Sequence, residues 1–197
     1  MNLTDLLAGI GPVALGIIAA FVFIENGLLF PFLPGDSLVF AAAIIAVPLG
    51  IPWQLIVLIA LVAAVAGAEV GFALGRRFGR GLFRPDARLF KTRYLDEADR
   101  FFARWGRGAL ILARFVPIVR TYLSPGMGAS TVSHRLFSTW NAIGAVVWAA
   151  LLGTAGFFLG RIPWVASNIE WIAIAIVVLS VGPVVITAIA RRRAAAR

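Results

Sequence analysis

An all-α, polytopic membrane protein is the fold class this sequence predicts, and three observations predict it. Of 197 residues, 61% are hydrophobic and 14% charged, with a mean hydropathy of +0.95, a balance that would precipitate a water-soluble domain. Four segments, residues 6–24, 53–75, 136–160 and 171–190, are apolar over roughly the 20 residues a helix needs to cross about 30 Å of hydrocarbon. Two more apolar segments are broken by proline, glycine and charge, and the basic residues gather in two clusters.

The elements follow in chain order. Thr4 and Asp5, both capping types, precede the first span. That span has no basic leader and no small-residue cleavage site, so it reads as a retained helix and not a signal peptide. Residues 26–51 do not read as a span, because Pro31, Pro34, Gly35 and Asp36 interrupt them and leave only 37–47 as a continuous apolar run. A re-entrant helical hairpin is expected there. Gly67, Gly71 and Gly75 then place small residues at four-residue spacing on the second span, which favours close helix packing in lipid.

Residues 76–107 form a basic connection, and within 86–105 the positions Phe90, Tyr94, Ala98, Phe101, Phe102 and Trp105 recur at helical spacing among charges. This predicts a cytoplasmic amphipathic helix lying against anionic lipid. A second re-entrant hairpin is expected over 108–130, where Pro117, Pro125 and Gly126 interrupt an apolar sequence carrying Arg114 and Arg120. His134 and Arg135 lie at a membrane edge before the third span, Trp140 and Asn141 lie within it, where a polar helix contact is expected of them ahead of a place facing the cavity, and Arg161 and Glu170 mark the outer ends of spans three and four. The whole chain, 1–197, reads as one membrane domain.

Charge placement gives an independent check on topology. The net charge of +9 points to lipid headgroups and orientation, and not to nucleic acid, because no Lys or Arg precedes Arg76 and ten bases fall within 76–107. A second cluster, Arg191, Arg192, Arg193 and Arg197, ends the sequence. With both clusters and both termini cytoplasmic, the parity closes if the two broken segments are both re-entrant or both cross. The re-entrant reading sets two hairpins against each other from opposite faces, as in inverted-repeat transporters. Cysteine is absent, which excludes disulfides and thiolate chemistry, and one histidine cannot make a zinc site with histidine ligands. No cofactor or metal is expected.

The candidate site lies in the two broken segments. Ionisable groups inside a bilayer are tolerated where they are buried in protein or line a wet cavity. One hairpin region supplies Glu25 and Asp36, the other Arg114 and Arg120. Arginine offers a planar fork of donors suited to phosphate, and Pro117 between the two arginines allows the backbone to turn both toward one cavity. The acids are the expected proton-coupling groups, since their protonation answers to whether the arginines are occupied. A structural alternative is that acids and arginines pair only to hold the hairpin tips together. Glu69, Ser124 and Tyr122, with Thr121 beside it, are secondary candidates for proton or phosphate contact, against helix pairing, capping or turn duty.

These residues resemble the DedA family, also described as SNARE-associated or VTT-domain membrane proteins. The resemblance rests on Glu25 before Phe32-Leu33-Pro34-Gly35-Asp36, on the glycine run over 67–76, and on Arg114-Phe115-Val116-Pro117-Ile118-Val119-Arg120 followed by Gly126 and Gly128. It covers residues 25–160. Many family members carry an acid directly after the first glycine of the run, whereas this chain has Ala68 there and Glu69 one position later, and Phe72 stands where tyrosine is common. The resemblance implies proton-dependent transport in a bacterial cytoplasmic membrane, with undecaprenyl phosphate or another lipid phosphate as the substrate. Scrambling of other phospholipids and a purely membrane-organising role are the alternatives. An enzyme such as a lipid phosphatase is disfavoured, because His134 has no second histidine to pair with as nucleophile and acid. The expected partners are the lipid phosphate, protons and anionic lipids, with a second copy of the chain as a further candidate.

Overall fold

The computed structural model describes residues 3–27, 35–46, 51–79 and 102–168, together with Asp96, Arg100 and Trp171; in the first helix, side chains are described from Val13 onward. The described residues are helical with turns and contain no strand. Pro31 and Pro34, most of the expected amphipathic helix over 86–105, and the fourth span over 171–190 apart from Trp171 lie outside them.

Helix α1 runs Leu3–Gly27, α2 Gly35–Ala46 and α3 Trp53–Phe78. Thr4 and Asp5 fall inside the first turn of α1 and do not precede it. Pro52, with extended backbone, introduces α3, and Gly79 at φ +59° ends it by donating its N–H to the Gly75 carbonyl. Arg76 and Arg77 sit in that last turn, where the helix dipole favours cations. After a short 3-10 turn at Gly106–Gly108 come α4, Ala109–Leu112, and a second 3-10 turn, Ala113–Phe115. Val116 is extended, as a residue before proline prefers, and Pro117 starts α5, Pro117–Gly128. Helix α6, His134–Gly160, is capped by the Ser133 hydroxyl accepting from the Leu136 N–H, and α7, Pro163–Ser167, follows.

The break in the second hairpin region therefore falls at Val116. Pro125 and Gly126, expected to interrupt it, lie within α5 instead. A proline removes one N–H, but the Pro125 carbonyl still accepts from the Ala129 N–H at 2.9 Å, so the helix closes on its far side.

Helices α3 and α6 are long and apolar enough to cross a membrane. Their packing is of the kind lipid favours, with small residues inside and large apolar ones outside. On α3, Ala60, Ala64, Gly67, Ala68, Gly71 and Gly75 are buried, whereas Leu55, Leu58 and Val62 are exposed. The glycine stripe is a double seam. A Cβ on Gly67 would stand 2.5 Å from the Phe23 carbonyl oxygen of α1. One on Gly75 would collide with the Pro125 backbone of α5. On α6, Gly156 meets Ala43 and the Phe40 carbonyl of α2, and Gly144 meets Leu110 of α4.

Two apolar clusters result. Ile18, Val22, Val39, Ile56, Ala60, Ala145 and Trp148 belong to one, and Ala68, Phe72, Leu110, Val119, Met127 and Phe137 to the other. Along α6 the stripe Phe137, Asn141, Ala145 passes from the second cluster to the first, and the residue between them is polar. That polar layer holds the buried charges.

Candidate functional site

Glu25 stands in the last turn of α1 and Asp36 in the first turn of α2, so both acids lie at the same end of two neighbouring helices. The Glu25 carboxylate accepts from the Gly35 N–H at 2.9 Å, which satisfies a helix N-terminal donor that has no partner within α2. Arg120 lies in the first turn of α5. Its guanidinium forks between the two acids, one amino group pairing with Glu25 Oε1 and the other, Nη1, donating to Asp36 Oδ1 at 2.5 Å. The Trp148 indole N–H of α6 donates to the same Asp36 oxygen at 2.9 Å. Glu25 and Arg120 are almost fully enclosed, their side chains 4% and 5% exposed, whereas the Asp36 side chain is 41% exposed.

Arg114 occupies the 3-10 turn just before the break. On one unbroken helix, residues six apart are turned through about 600° and project roughly 120° from each other. The extended Val116 removes that constraint. Arg114 and Arg120 accordingly line one small cavity of about 10 Å³, together with Asn26, Ala68, Leu110, Ala113, Leu123, Ser124 and Asn141. That is room for about one water molecule. Arg114 is held by neutral groups: Nη2 donates to Asn141 Oδ1 at 2.6 Å and Nη1 to Asn26 Oδ1 at 3.5 Å. Asn26 is itself fixed by donating to the Val22 carbonyl at 2.8 Å.

The structure thus brings Glu25, Asp36 and Arg120 into one ion-paired group and sets Arg114 beside it across the cavity. The formal charges of these four side chains cancel. Ser124 lines the same cavity, and Tyr122 is buried on α5 outside the lining. Glu69 is not in the ion-paired group: its Oε2 lies 2.7 Å from His134 Nε2, and its Oε1 is 3.4 Å from Asn141 Nδ2. Gly35 and Pro117 each stand at a helix start beside the site. Pro125 instead packs its backbone against Gly75.

Sequence reasoning did not single out Asn26 or Trp148, and it read Asn141 as a polar helix contact. A usable signal existed on α6, where His134, Asn141 and Trp148 recur at seven-residue intervals and so share one face. Asn26, adjacent to Glu25, carried no periodic signal because the described helix ends one residue later.

The VTT domain family matches residues 33–158 of this chain. Protein DedA of Escherichia coli (strain K12) is 40% identical over 201 aligned residues, covering 100% of this chain and 92% of that protein. A membrane protein of Mycobacterium tuberculosis is 41% identical over 170 residues, 85% of this chain and 75% of its own length. Inner membrane protein YqjA of Escherichia coli (strain K12) is 31% identical over 144 residues, covering 72% of this chain and 66% of that protein. No solved structure matches the chain.

Proposed function

This chain belongs to the DedA family of VTT-domain membrane proteins, and from that premise we propose that it is a proton-coupled carrier of a lipid phosphate, undecaprenyl phosphate foremost, in the bacterial inner membrane. The observation that carries the reading is the buried pair Arg114 and Arg120 on one cavity, with Glu25 and Asp36 as the counter-ions of Arg120. A tetrahedral phosphate presents a pair of oxygens to an arginine fork, which can hold them bidentately as it holds a carboxylate. It therefore competes with Glu25 and Asp36 for Arg120, and a carboxylate displaced in a low-dielectric pocket takes up a proton. Arg120 Nε is buried with no acceptor among the described residues, one donor still to be filled. Both short helices, α2 and α5, begin at the site, where their N-termini favour an anion.

The cavity is too small for a phosphate group, so loading requires α1 and α2 to separate from α5. This fits a carrier that alternates between closed and open forms. In the topology that accompanies this reading, α1, α3, α6 and residues 171–190 cross the membrane, while 26–51 and 108–130 are opposed re-entrant hairpins. Helices α2 and α5 have 12 residues each, about 18 Å of helix, well short of a crossing. Arg76 and Arg77 at the end of α3 support a cytoplasmic location for that end, and with it for both termini and the connection over 76–107. The whole chain acts as one domain, and its remaining proposed partners are anionic lipids and a second copy of itself. A phosphatase is not favoured, because His134 points to Glu69 and is 66% exposed, away from the arginine cavity.

A second reading has an observation of its own, since two amino groups of Arg120 are already committed to Glu25 and Asp36. On that reading the group only staples the hairpins and the protein organises the membrane. Proteoliposomes with labelled undecaprenyl phosphate, assayed for its accessibility at two pH values, separate the two. Under the carrier reading Arg114→Ala and Arg120→Ala abolish movement while the proteins still insert. Normal movement by both variants overturns it, and movement of other phospholipids but not of the polyprenyl phosphate reassigns the substrate.

A further inference from the structure

The polar groups of this protein do not stop at the arginine cavity. Asn141, which holds Arg114 through its side-chain oxygen, turns its amide nitrogen toward Glu69 Oε1 at 3.4 Å and the Val65 carbonyl at 3.5 Å. Glu69 Oε2 in turn meets His134 Nε2 at 2.7 Å. Glu69 is 27% exposed and His134 66%, so this branch ends at the surface. The other branch ends at Asp36, also partly exposed. The contact points on α6 are His134, Asn141 and Trp148. They lie on one face and span about 21 Å at a helical rise, a large part of the ~30 Å of a hydrocarbon core. Polar contacts thus lead from one partly open end to Arg114 and from the other to Arg120, and the small cavity lies between the two arginines.

We propose that the Glu69–His134 pair is a second proton-exchange gate, coupled to the arginine cavity through Asn141; the proposal rests on the lipid-phosphate carrier reading. In the proton step, the His134 ring accepts a proton at Nδ1 from hydronium in bulk solvent, which leaves water, and gives the Nε2 proton to Glu69 Oε2. The imidazole ends neutral and the carboxylate becomes a carboxylic acid, so one proton has moved inward with no change in oxidation state. Neutral Glu69 is a poorer acceptor for the Asn141 amide. Asn141 is then less firmly held, and so is its contact with Arg114, which frees that guanidinium for a phosphate. Release of the proton restores the grip.

The surroundings suit the role. From α6, His134 lies beside Glu69 and Asn141 faces it, while Arg135, next in sequence to His134, is exposed. On α3 itself the first cation after Glu69 is Arg76, which is engaged elsewhere, donating to the Val132 carbonyl at 2.6 Å and lying over the Phe72 ring. The same Phe72 ring has its centroid 5.3 Å from that of His134 and packs on Phe137. It forms an apolar wall on one side of the pair. Arg114 lies one Asn141 side chain away.

Full-length protein in proteoliposomes containing a labelled short-chain polyprenyl phosphate tests the gate by the ratio of pH-gradient-driven movement to equilibrium exchange. In Glu69→Gln and in His134→Gln that ratio should fall about tenfold, within the range usual for coupling between two sites. An unchanged ratio, including a proportional fall in both rates from damaged folding, overturns the gate while leaving the carrier reading in place. A parent protein that moves no lipid phosphate overturns the carrier reading and the gate with it. Because His134 is the single histidine, NMR of histidine-labelled protein adds a direct readout. Decyl phosphate should shift the His134 titration in the parent and leave it in place in Glu69→Gln. A parent titration that ignores decyl phosphate sinks the coupling through Asn141.

Discussion

Replacing Arg120 by alanine separates a structural staple from a working one. Arg120 is the cation paired with both Glu25 and Asp36, and all but Asp36 are almost fully enclosed. After Arg120→Ala, Glu25 keeps only the Gly35 N–H and Asp36 only the Trp148 indole among their described donors. The four side chains then carry a net charge of minus one in place of zero. Breaking a buried pair by removing one partner costs about 3–5 kcal/mol, because the other charge is left uncompensated. Thermal unfolding of the purified protein in detergent should register a loss of that size. Adding Glu25→Gln to the same chain restores neutrality, with Asp36 balanced by Arg114, and should recover about 2 kcal/mol of it. Under the carrier reading, transport should stay absent in the double variant, since neutrality has returned and the phosphate donor has not. A loss below about 1 kcal/mol for Arg120→Ala would refute the buried-pair argument. Transport regained together with stability would refute the binding role.

Other substitutions probe other links. Gly75→Ala forces a Cβ into the Pro125 backbone and should destabilise by about 1–3 kcal/mol, whereas Gly16→Ala, which meets nothing within 4 Å, should not; differential thermal unfolding of the two in one detergent decides. Trp148→Phe removes the indole donor to Asp36 and should cost about 1.5–3 kcal/mol, as for a hydrogen bond to a charged group, with the helical circular dichroism unchanged. Under the carrier reading, Glu25→Gln and Asp36→Asn should each flatten the dependence of lipid-phosphate movement on pH. A profile parallel to that of the parent in both variants would assign the acids to structure alone.

The class of this protein was legible from composition, because a chain so rich in hydrophobic residues has no other stable solvent. Helix positions were legible too: residues 53–75 became Trp53–Phe78 and 136–160 became His134–Gly160. Each is longer than its apolar run because Arg76, Arg77 and His134 are polar residues that a helix end in water accommodates. The four charges of the site stood out because charge is rare in apolar sequence. Asn26 and Trp148 did not, since an uncharged side chain costs little to place and its role is fixed only by what the fold sets beside it. Pro125 misled for a related reason. Local propensity places a break there, but the close approach of Gly75 selects an unbroken helix that propensity alone cannot register.

The mutual cancellation of Glu25, Asp36, Arg114 and Arg120 also bears on membrane voltage. Each uncompensated charge carried across a potential of 100 mV involves about 2.3 kcal/mol of electrical work. Under the carrier reading, an unloaded protein whose pocket sums to zero performs none of it when it swings from one face to the other. Its return stroke should therefore run at the same speed in energised and de-energised vesicles, leaving the cargo and its accompanying protons as the only parts of the cycle that feel the field.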